Sequence, residues 1–71
     1  MLTPDQKRQL EDMVDKDDLK SVLEALSEIC DLKAEHLVSN WQDPNTARLW
    51  NRAGKRLDAC ANTDAVVQVS S

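Results

Sequence analysis

From Leu19 to Trp41 apolar residues return every three or four positions, and neither Gly nor Pro interrupts them. Leu19, Val22, Leu23, Leu26, Ile29, Cys30, Ala34, Leu37 and Trp41 make the series. A strand alternates with period two, so this spacing belongs to a helix. At about 100° per residue, Ala25 and Leu32 widen the apolar arc to about half the circumference. An arc that wide needs cover from more than one neighbour. The pattern therefore predicts a long central helix 2, with one helix on either side.

The flanking segments supply those neighbours. "LTPDQKRQLEDMV" begins with Thr3 as a cap, Pro4 at the first helical position and Gln6 where a capping box wants Glu or Gln. Leu10, Met13 and Val14 share one face of this helix 1, which the reading ends near Asp15 or Lys16. "DKDD" follows, with Asp17 or Asp18 as the cap of helix 2. Asp43 before Pro44 forces a turn and a new start. Helix 3 then runs from about Pro44 to about Ala61, with Ala47, Leu49, Trp50, Ala53, Gly54, Leu57, Cys60 and Ala61 on its apolar side. A connection this short makes helices 2 and 3 an antiparallel hairpin. The fold class expected is all-α, a small three-helix domain over residues 1–61. Residues 62–71 read as a flexible or partner-ordered tail, because β-prone Ala65 to Val69 has no strand to pair with.

A chain of 71 residues buries little, and a few kcal/mol of net stability is the expected order. Its charge is uneven. Residues 1–43 carry −6, from five Lys or Arg and eleven Asp or Glu, whereas residues 44–61 carry +3. The asymmetry is small enough to serve mainly pairing within the chain. No apolar run approaches the roughly 18 residues that span a bilayer. "MLTPDQKRQLED" places charges where a secretory h-region would lie, so a cytoplasmic chain with two free thiols is expected.

Catalytic and metal chemistry find little support. Cys30, His36 and Cys60 lack the paired spacing of a zinc site, and Cys30 and His36 lie about 120° apart around one helix. A nucleophilic Cys needs a base within reach and a pocket. Lys33 stands where a diiron Glu-x-x-His motif requires Glu. No phosphate loop, dinucleotide fingerprint or calcium loop is present. The reading assigns no cofactor, no metal, no small-molecule substrate and no enzymatic activity.

Two charged rows remain. Glu24, Glu28, Asp31 and Glu35 follow at steps of four, three and four, on the side of helix 2 read as opposite the core. Like charges so placed repel by a few tenths of a kcal/mol per pair, which favours a basic partner surface. Arg48, Arg52, Lys55 and Arg56 fall within about 100° of arc on helix 3. These eight residues form the candidate interaction surface. The expected function is a protein-interaction or accessory module that forms a homodimer through exposed apolar parts of helices 2 and 3. A DNA-binding role for the basic face of helix 3 is the alternative. Trp41 is expected to close the hairpin end of the core, and Trp50 to be the buried anchor between helices 2 and 3.

Overall fold

Each helix starts where a side chain satisfies its unpaired backbone donors. The computed structural model describes residues 1–70, with Trp41 described by its backbone alone. Helix α1 spans Pro4–Asp17. The Thr3 hydroxyl accepts from the Gln6 N–H at 3.2 Å while the Gln6 side chain accepts from the Thr3 N–H at 2.8 Å, a complete capping box. Helix α2 spans Leu19–His36 and begins at Asp18, whose carboxylate accepts from the Ser21 N–H at 2.7 Å. Helix α3, Pro44–Ala61, begins at Asp43, which accepts from the Thr46 N–H at 3.1 Å. These starts and the end of α3 agree with the sequence reading.

Helix α2 continues into a π-helical turn, Leu37–Trp41. Across this junction the Asn40 amide and the Nδ1 of His36, the last residue of α2, form a 2.8 Å hydrogen bond. The Gln42 N–H then reaches back to the Leu37 carbonyl from a left-handed conformation, φ 49° and ψ 45°. A wider turn of this kind absorbs an extra residue before Asp43 reverses the chain. The expected role of Trp41 rests on its side chain, which lies outside the described residues.

Helices α2 and α3 form the antiparallel hairpin, and their seam is built from small residues. Cys30 and Ala34 of α2 are buried, as are Ala47, Gly54 and Ala61 of α3. A Cβ placed on Gly54 would lie 3.1 Å from the Cys30 Cβ and 3.2 Å from the Ser27 carbonyl oxygen. The Ser27 hydroxyl donates to the Gly54 carbonyl across the seam at 2.8 Å. Backbones come this close only where side chains are small.

The neighbours of α2 agree with the expectation in one respect and differ in two. First, among the described residues α1 packs on α2 and not on α3, so α2 is central as expected and α1 projects from the hairpin. Second, the stretch read as tail contains a short helix α4, Asp64–Val69, which packs on both α2 and α3 and buries Val66. Its β-prone residues become helical because docking supplies the contacts that an isolated strand lacks. The Ser70 hydroxyl also accepts from the Lys20 N–H at 3.0 Å, capping a helix 50 residues away in sequence. Third, Trp50 is not a buried anchor but is 36 % exposed. The close seam draws Gly54 inward and leaves the larger residues of α3 at its edges.

The result is thin and extended, 39 × 29 × 16 Å, with a radius of gyration of 13.9 Å. A compact domain of this length has a radius of about 11 Å.

Candidate interaction surfaces

The hairpin has two unlike sides, and the seam decides which residue faces which. On α2 the contact with α3 centres on Cys30, Ala34 and Ser27, all within about 60° of arc. Continuing around α2 in the same direction come Asp31, Glu24, Glu35 and Glu28. The acidic row therefore does not stand opposite the core as expected. It borders the seam, and the Asp31 carboxylate comes within 3.2 Å of where a Gly54 Cβ would lie. The expectation placed the seam under the large apolar residues; the seam follows the small ones, shifting the acidic row to its edge.

Glu24, Glu28 and Asp31 line a shallow cleft with Ser27 and Gly54, and Lys55 and Asp58 of α3 close its far wall. Asp31 and Glu35 border a second depression with Asn51. The four predicted acidic residues thus share one side of the hairpin, and the structure brings Lys55 to them. Lys20 extends this side toward the open end. Its ammonium group donates to Glu24 at 2.6 Å and to the Asn62 side chain at 3.4 Å. That hydrogen bond to Glu24, opposed by modest desolvation and aided by the charges of Glu24, Asp58 and Asp18, raises the Lys20 pKa above its ordinary value.

The predicted basic residues lie on the outer face of α3. Arg52, Lys55 and Arg56 border a depression with Ala59, Cys60 and Thr63, and Arg48 is exposed one turn earlier. Among the described residues the single ion pair is Lys20–Glu24, so acidic and basic faces do not neutralise each other by contact. That departs from the expected pairing within the chain. The faces point in different directions, and only Lys55 reaches both.

The opposite side of the hairpin carries no acidic row, only Asp17 at one end of its groove and Lys33 of α2. Leu26 and Ile29 of α2 lie on the far side of Cys30 from Asp31, and Trp50 of α3 lies on the far side of Gly54 from Asn51 and Lys55. Leu26 and Ile29 are 38 % and 48 % exposed. Projecting α1 adds Leu10 and Met13, and together with Val22 and Ala25 they border an apolar groove of about 470 Å³. Sequence reading found these apolar residues and expected parts of helices 2 and 3 to stay exposed, but it did not say which and placed Trp50 in the core. The signal it lacked was which arc the small residues would claim.

The thiols fall on different sides of this division. Cys30 is buried beneath Gly54, and Cys60 is exposed. No group of three or more His, Cys, Asp or Glu side chains among the described residues is placed to hold a metal ion. No described helix is long and apolar enough to cross a membrane. Comparison of the chain with family models, curated proteins and solved structures finds no match, so the surfaces themselves carry the functional argument.

Proposed function

We propose that this chain is a small cytoplasmic protein-interaction module and not an enzyme, and that it works through the apolar side of its hairpin. The observation that carries this reading is the sidedness itself. Met13, Leu26 and Ile29 stand exposed together along one groove, with Trp50 on the same side of the seam, whereas Leu32, Val38 and Leu49 are exposed singly elsewhere. Exposed apolar surface gathered on one face is what association covers. The clefts elsewhere are shallow and charged, and offer no convergent nucleophile and base.

Photo-crosslinking in cells tests the reading. A benzophenone side chain at position 29 is expected to give protein adducts, and one at position 38, on the acidic side, to give none. Adducts at neither position would remove the apolar side as an interaction surface.

The second reading, nucleic-acid binding, rests on Arg48, Arg52 and Arg56, which have no carboxylate within pairing distance among the described residues. The net charge of −4 and the acidic row oppose it. Retention on heparin that falls steeply with salt, and is abolished by Arg52→Glu, would move it ahead.

A further inference from the structure

Resting on the interaction reading above, we infer that the occupant of the apolar side is a second copy of this chain, packed face to face about a two-fold axis with Leu26, Ile29, Met13 and Trp50 at the centre.

Area is the first argument. The chain exposes 5753 Å². A compact monomer of 8.0 kDa exposes about 4,450 Å². The excess, about 1,300 Å², exceeds the ~800 Å² that each partner buries in a standard interface. One further copy is enough to absorb it.

The buried set is the second argument. Among the described residues, Cys30, Ala34, Ala47, Ala61 and Val66 are the buried apolar ones, and no large side chain is wholly enclosed. A core of that kind leaves a hairpin marginal on its own. A second copy completes it with the large residues already present, making a four-helix layer from α2 and α3 of both protomers.

Charge placement is the third. Asp17, at the end of α1, borders one end of the apolar groove, and Lys33 lies on the same side of α2, about four turns further along. An antiparallel two-fold sets each opposite the other's counterpart, so the face is self-complementary. The acidic row and the basic face of α3 then remain outside.

Sedimentation equilibrium of the full chain, from low micromolar to submillimolar concentration, tests this. The expected mass is twice 8.0 kDa. Ile29→Glu should weaken the dimer by about 100-fold or more, because each copy then brings an unpartnered carboxylate into the apolar contact. Val38→Glu, an equally exposed aliphatic position on the acidic side, should leave the mass unchanged. If Ile29→Glu also loses helicity, the wild-type melting midpoint decides: a dimer requires it to rise with protein concentration, and a constant midpoint overturns the proposal. A wild-type monomer throughout also overturns it. Such a monomer that binds an apolar dye keeps the face open for another protein, whereas one that binds none removes the interaction reading as well. A dimer broken by Arg52→Glu and not by Ile29→Glu would place the contact on the wrong face.

Discussion

The α2–α3 seam and the α1–α2 elbow solve the same problem with opposite materials. The seam uses Gly54, Ala34, Ala47 and Ala61, and brings two backbones close enough for Ser27 to donate to the Gly54 carbonyl. The elbow uses Leu10, Met13 and Val14, none of which is buried. Large apolar residues hold α1 at a distance and leave a groove. Small ones close the gap and leave only a shallow cleft at its edge. Burial here follows how near two backbones can come, and not how hydrophobic the side chains are.

The comparison breaks most sharply at Gly54. Gly54→Leu should cost about 3 kcal/mol or more, comparable to the stability expected of a domain this small, because a Cβ already meets the Ser27 carbonyl. Urea unfolding followed by circular dichroism reads the loss. A variant with native stability would mean that the seam is looser than described.

The hairpin's turn comes next. Asp43→Ala should lower the melting midpoint by about 5 °C through loss of the α3 cap. Hydrogen bonds from the Thr46 hydroxyl and the Thr46 N–H, with a smaller one from the Asn45 N–H, hold the Asp43 carboxyl below its ordinary pKa against slight desolvation. Its contribution is therefore whole at neutral pH and disappears as the pH falls through that lowered value. The gap between wild type and Asp43→Ala should close along the same acid limb. Gln42, in the left-handed region, should run the other way: Gln42→Gly is expected to stabilise by about 0.5–1 kcal/mol.

At the elbow the effects shrink. Ser70→Ala removes the remote acceptor of the Lys20 N–H and should cost about 0.5 kcal/mol. Faster hydrogen exchange at the Lys20 amide, with the α3 amides unchanged, is the local signature. Equal acceleration in both helices would mean that elbow and seam unfold as one unit.

Helix starts were legible because caps are local chemistry. Thr3 with Gln6, Asp18, and Asp43 with Pro44 each act within four residues. The arcs that meet were not legible. A helical wheel places Ile29 and Ala34 on one broad stripe, and nothing in that stripe says that the seam will centre on Ala34. The same gap hid the position of the acidic row and the exposure of Trp50. Helix α4 was missed because its residues favour strand in isolation and become helical only on docking, which depends on Val66 and Ser70 meeting residues far away in the chain.

The first turn of α2 is held from two directions. Asp18, at φ 86° and ψ 161°, caps it locally from a backbone region that side chains other than Gly rarely occupy. Ser70 caps it from the other end of the sequence. Helix α4 and the Ser70 that follows it therefore brace a strained joint from outside. Releasing them frees the Lys20 N–H and uncovers Val66, and leaves the strained Asp18 and the α1–α2 packing to hold the α1 angle. That angle shapes the groove between Leu10 and Met13 on one helix and Val22 and Ile29 on the next. Helix α4 and Ser70 line no part of the groove, yet they brace the helix turn beside it.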